Sequence, residues 1–136
     1  MKWIFALILL QATTLDIPAS IPRVSMEDVC LSHAVVREAA GESLQGQRAI
    51  VDSVRYRASV RGLSICSTLQ QPYQYSWWKK GYKFEYNEKF LRILAKAITL
   101  PTVVSRADFF HSGPEPYWVA DMQYVGRVGN HKFYRS

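Results

Sequence analysis

With 136 residues, of which 49% are hydrophobic, 21% charged and 13% aromatic, the chain is sized for one globular domain and is too apolar and varied to be disordered or collagen-like. Seventeen Lys and Arg against 11 Asp and Glu give a net charge of +6, which points to an anionic partner: nucleic acid, a membrane surface, or an acidic polymer such as a cell wall. A chain of this length buries roughly two-thirds of its unfolded surface, so it needs neither a metal nor a dense disulfide framework to fold.

The first element is Met1-Lys2, the apolar run Trp3 to Leu10, and then Gln-Ala-Thr-Thr. A basic start, a short apolar stretch and small residues make residues 1–20 a signal peptide, with residues 21–136 the mature domain. Eight apolar residues fall far short of the roughly 20 that span a bilayer, so no permanent membrane span is expected and the protein is exported. Ser25, followed by Glu27 and Asp28, starts a helix over about 26–40, with Met26, Val29, Cys30, His33 and Val36 inward and Gly41 as its stop. A second helix covers about 46–60, with Ile50, Val51, Val54 and Ala58 inward and Arg48, Asp52, Arg55 and Arg61 outward, ending at Gly62. Ser64 caps a short helix over 65–70, and Asn87 caps another whose Phe90, Leu91, Leu94, Ala97 and Ile98 face inward until Pro101. Two short aromatic-rich strands, 107–111 and 132–134, flank a loop with Gly113, Pro114 and Pro116.

Cys30 and Cys66 either close a ~37-residue loop as a disulfide, worth about 3–4 kcal/mol, or remain two buried thiols. His33, His111 and His131 are too scattered to form a metal site with them, and no cofactor motif is present.

Glu38 falls in the last turn of the first helix, where the helix dipole disfavours an ionised carboxylate and burial would raise its pKa further. A carboxylic acid protonated near neutrality is what glycosidic cleavage requires of a general acid. By position alone, a Glu beside Arg37 is more often a solvated surface residue. Glu42, just beyond the helix, is a weaker candidate and serves equally well to cap the next one. The run Tyr73-Gln74-Tyr75-Ser76-Trp77-Trp78 combines flat rings with amide and hydroxyl groups, the chemistry that grips sugars, and Lys79 and Lys80 flank it. His111, Ser112 and Trp118 extend the theme nearer the carboxyl terminus, where Phe109 and Phe110 read rather as core.

Taken in order, REAAGE, GQRAIVDSVRYR, QPYQYSWW, ADFFHS, PYW and VGNHKFYR resemble the SleB-type cell wall hydrolase domain, the catalytic domain of spore-cortex-lytic enzymes, across residues 29–135. The resemblance implies an α+β, lysozyme-like fold, mainly helical with a small antiparallel sheet, that acts on the glycan strands of peptidoglycan as a lytic transglycosylase. It puts the catalytic glutamate on Glu38. Gln74, Tyr75, Ser76, Trp77, His111, Trp118 and Tyr134 become substrate-binding candidates, and Glu42, Arg57 and His131 possible support. Tyr56 stands where the family commonly has Asn. Asn130 stands where Gly or Arg is common, which suggests a left-handed turn residue. A monomer needing no cofactor or metal is expected. The rival readings are a water-using muramidase or glucosaminidase, a non-catalytic peptidoglycan-binding module, and a nucleic-acid-binding protein that stacks bases on Tyr and Trp, which export disfavours.

Overall fold

The computed structural model describes residues 24–136, so the expected signal peptide lies outside the described residues. Helix α1, Met26–Ala39, begins at a capping box: the Ser25 hydroxyl accepts from the Asp28 amide, and the Asp28 carboxylate accepts from the Ser25 amide. It carries a run of buried residues from Val29 to Val35, because α2, α3 and α4 all pack against it. Met26, expected inward, is more than half exposed, and Val36 is only half-buried.

Helix α2, Leu44–Arg61, starts two residues earlier than the periodicity suggests, because the Ser43 hydroxyl caps the Gly46 amide. Gly62 closes it in a left-handed conformation at φ 63°. Asp52, expected outward, is buried. It pairs with Arg48 at 2.9 Å and accepts from the amides of Val103 and Val104 at 2.7 and 3.1 Å. A buried carboxylate with this many donors is well solvated by protein, and it fastens the loop after α4 to α2. Helix α3, Ile65–Leu69, is capped by Ser64, and α4, Glu88–Ala97, by Asn87, whose side chain accepts from the Phe90 amide. Ile98, expected inward, is largely exposed.

Three antiparallel strands follow: β1, Phe109–Ser112; β2, Gln123–Val128; and β3, His131–Arg135, in the order β1-β3-β2. β2 was not expected. Its sequence lacks clean alternation, and its register slips between Tyr124 and Gly126, where the ladder is irregular. A 3-10 helix, Tyr117–Asp121, fills part of the loop between β1 and β2. In the β2–β3 turn it is Gly129, at φ 58°, that takes the left-handed conformation; Asn130 does not.

The core joins Cys30 and Val35 of α1, Ile50 and Val54 of α2, Leu69 of α3 and Phe133 of β3, all fully buried. Truncating Phe133, the largest of them, would cost about 3–5 kcal/mol. Cys30 and Cys66 are disulfide-bonded across α1 and α3, with Cα atoms 5.3 Å apart. Among the described residues no helix is long and apolar enough to cross a membrane, and no group of His, Cys, Asp and Glu is arranged to hold a metal.

Candidate active site

An open cleft of about 920 Å³ lies between the end of α1, the irregular segment 70–87 and the edge of β1. Among the described residues Glu38 is the only carboxylate that lines it. Arg57, Tyr73, Gln74, Tyr75, Ser76, Trp78, Lys79, Lys80, Phe110, His111 and Ser112 share the lining with it.

Glu38 sits in the last turn of α1, on the same helix face as the buried Ala34 and Val35 and one turn beyond them, where that face runs out of the core and meets the cleft. Its Oε1 accepts from the Trp77 indole N–H at 2.8 Å. Burial pushes this carboxyl above the usual carboxylate range; the Trp77 hydrogen bond and the nearby Arg57 charge pull the other way without cancelling it. A carboxylic acid that keeps its proton further toward neutrality can donate that proton to a leaving oxygen.

Trp77, expected to stack on sugar, is therefore behind the acid rather than in the cleft. Its ring packs edge-on against Tyr82 at 5.1 Å. Tyr82 is held in turn by α1: its hydroxyl meets His33 Nδ1 at 2.7 Å and accepts from Arg37 Nε at 3.1 Å. The other His33 nitrogen, Nε2, meets the Glu85 carbonyl at 2.7 Å. A carbonyl only accepts, so Nε2 carries a proton; in the neutral ring Nδ1 then accepts from Tyr82. No residue type or spacing marks Tyr82 or His33 as part of this support, because the contacts span 45–52 positions.

Tyr75 is buried, with its ring forming the cleft floor. Arg57 is buried beside it, with its guanidinium 5.1 Å from the Tyr75 ring and 4.1 Å from that of Phe109, and Nε donating to the Asp108 carbonyl at 2.6 Å. Asp108, absent from the sequence reading, also ties down the carboxyl-terminal Ser136. Gln74 lines the cleft while its side-chain oxygen accepts from Arg61 at 3.3 Å. Ser76 is exposed on the wall. Tyr73 is fully exposed at the mouth and holds a left-handed φ of 61°.

His111 reaches the cleft from β1, and its ring stacks on Tyr134 with Nε2 3.0 Å from the Tyr134 hydroxyl. Trp118 and Tyr134 themselves lie outside the cleft. Trp118 packs on Phe109, His111 and Tyr134, and Tyr134 lines a smaller hollow of about 340 Å³ with Glu115 and Lys132. Phe110, read as core, lines the cleft and also packs against His131 and Phe133.

Glu42 and His131 lie outside the cleft as well. Glu42 does not cap α2. Its carboxylate reaches across to the Asn130 amide at 3.3 Å and to His131 Nδ1 at 3.5 Å. Burial holds His131 below the usual imidazole range, with Glu42 opposing that shift, so this contact joins a carboxylate to a largely neutral ring at neutral pH.

The cell wall hydrolase family profile matches residues 41–134, a span that starts just after Glu38. The catalytic domain of the germination-specific lytic transglycosylase SleB from Bacillus anthracis has a similar structure, with a TM-score of 0.66 at 20% identity, covering 85% of this chain and all of that domain. No curated protein matches the chain.

Proposed function

Because the chain belongs to the cell wall hydrolase family and is a wall-degrading enzyme, we propose that it cleaves the glycan strand of peptidoglycan as a lytic transglycosylase, with Glu38 as acid and then base. The observation that carries this reading is that Glu38 is the only carboxylate lining the cleft among the described residues. A water-using glycosidase normally needs two carboxylates flanking the bond. Glu42, the nearest rival, is turned away toward the β2–β3 turn.

One carboxyl group suffices if the second nucleophile belongs to the substrate. Glu38 donates its proton to the oxygen linking N-acetylmuramic acid to N-acetylglucosamine, and that C1–O bond breaks. The resulting carboxylate takes the proton of the muramic acid C6 hydroxyl as its oxygen bonds to C1 of the same sugar. The product is a 1,6-anhydro end and no water is consumed. Burial of Glu38 favours the protonated start, and the Trp77 indole stabilises the carboxylate midway. Trp78, Tyr73 and the wall at Gln74 and Ser76 cradle the sugars. In this reading residues 1–20 direct export, the mature protein acts on the wall as a monomer, and no cofactor takes part.

The test is mass spectrometry of the soluble products released from sacculi by the wild type and by Glu38→Gln. Anhydromuropeptides from the wild type alone are expected. Reducing ends would mean a hydrolase, and no products a binding module.

A further inference from the structure

The Trp77 indole that engages Glu38 belongs to a segment with no helix or strand between α3 and α4, so no ladder of backbone hydrogen bonds fixes where that ring lies. Three other rings box it in, with centroid separations of 5.1 Å to Tyr82, 6.0 Å to Tyr75 and 6.1 Å to Phe84. Ring contacts of this kind fill space and bury surface, but they tolerate sliding and tilting. Of the three, only Tyr82 carries a polar tie to α1, through its hydroxyl to His33 and Arg37.

The donors in this tie run one way. The Glu85 carbonyl accepts from His33 Nε2, His33 Nδ1 accepts from the Tyr82 hydroxyl, and the Tyr82 oxygen accepts from Arg37 Nε. His33 is only 5% exposed, and both its nitrogens are engaged. Filling space requires none of this. A Leu or Met would pack against Phe84 and Phe90, whose centroids lie 5.6 and 4.9 Å from the His33 ring, without the cost of burying an imidazole. A satisfied buried polar network selects one arrangement where apolar packing accepts several. The contacts also form a circuit: they leave α1 at His33 and Arg37, pass through Tyr82 to Trp77, and return to α1 at Glu38. The indole is thereby placed relative to the same helix that carries the carboxyl group. Neither His33 nor Tyr82 lines the cleft, so contact with substrate is not what they serve.

Resting on the reading of Glu38 as the acid, we infer that Tyr82 is a positioning residue of the reaction: its hydroxyl, held by His33, fixes the Trp77 indole against the Glu38 carboxyl and so fixes how that acid is presented to the cleft. Without the hydroxyl the ring box keeps its apolar contacts, but the indole N–H loses its defined place. The Trp77 hydrogen bond, which opposes the effect of burial on Glu38, then weakens. Arg57 and Tyr75, the other titratable groups that act on or feel Glu38, are unaltered by that change.

Tyr82→Phe in the full-length chain keeps the ring and removes the hydroxyl. On sacculi its kcat should fall about three- to tenfold with apparent KM within about twofold of wild type, and the alkaline limb of its pH–kcat profile should move to higher pH. Trp77→Phe has already lost the indole, so adding Tyr82→Phe to it should move neither the limb nor kcat further. His33→Leu should reproduce Tyr82→Phe. His33→Gln, whose amide nitrogen can donate to the Glu85 carbonyl while its oxygen accepts from Tyr82, should restore the wild-type profile. Ile50→Val, in the core of α2, is the control for stability alone and should melt earlier with the limb in place. A Tyr82→Phe limb at the wild-type position, additive losses in the double variant, or His33→Gln falling with His33→Leu overturns the positioning role. If Glu38→Gln is inactive while any of these holds, the reading of Glu38 as the acid stands alone; undiminished lysis by Glu38→Gln sinks both.

Discussion

Glu38 and Glu42 are four positions apart, one in the last turn of α1 and one in the turn that follows, yet they meet opposite surroundings. Glu38 faces a cleft, is desolvated, and touches one neutral donor, the Trp77 indole. Glu42 leans on a backbone amide and a histidine beneath the β2–β3 turn, where Gly129 leaves no room for a side chain. The residue type is the same, but one site favours the protonated carboxyl, as the proposed acid requires, and the other braces a hairpin. Environment, more than identity, divides the chemistry from the scaffold.

The largest effect that could break this contrast is on turnover. Glu38→Gln should lower sacculus lysis about 10²–10⁴-fold with no loss of melting temperature, whereas Glu42→Gln should stay within about threefold of wild-type activity and melt earlier. Comparable losses of activity in both would end the division. Next is the brace itself. Gly129→Ala places a Cβ against the Glu42 carboxylate on a backbone at φ 58°, and should cost about 1–3 kcal/mol in denaturant unfolding. In a Glu42→Ala background the steric part should vanish, so the double mutant should be less destabilised than the sum of the singles.

Trp77→Phe sharpens the other side. The indole hydrogen bond lowers the Glu38 pKa, so losing it raises that pKa further. Since the acid works protonated, the alkaline limb of the pH–kcat profile should move to higher pH, with kcat down roughly tenfold. A purely structural Trp77 would leave the limb in place. Smaller again is relief of strain at Tyr73. Tyr73→Gly should raise the melting temperature by a few degrees, as about 1 kcal/mol of left-handed strain is removed, while weakening sugar binding. The smallest is linkage. A raised carboxyl pKa contributes stability that is complete below the unfolded value and lost as pH rises through the folded one. Calorimetry should find Glu38→Gln more stable than wild type at pH 8 and equal to it at pH 4.

The helices were legible because their signals are local. Ser25, Ser64 and Asn87 cap where their spacing says they should, and Gly62 ends α2 by a backbone property that glycine carries anywhere. Glu38 was singled out less by its helix-end position, which equally suits a surface residue, than by the family resemblance of the block it stands in; its burial and its Trp77 partner depend on distant residues. Two of the misreadings near the site involve partners far along the chain. Asp52 looks like a surface charge until the amides of Val103 and Val104 arrive, and Trp77 looks like a sugar platform until α1 supplies Glu38. β2 escaped because its irregular pairing at Tyr124–Gly126 blurs the alternation by which strands are found.

Cys30, His33, Arg37 and Glu38 fasten the chain from Cys66 to Glu85, through the disulfide, Tyr82, Glu85 and Trp77. Helix α1 thereby serves as a ruler against which an irregular stretch is indexed. Inserting one residue within that span of α1 would rotate everything beyond it by about 100° and unfasten the acid from its indole. Lengthening the stretch between two fastenings adds only a slowly growing loop-closure cost. The breadth of the cleft wall is thus cheap to alter by loop length, while the position of Glu38 is fixed by the helix.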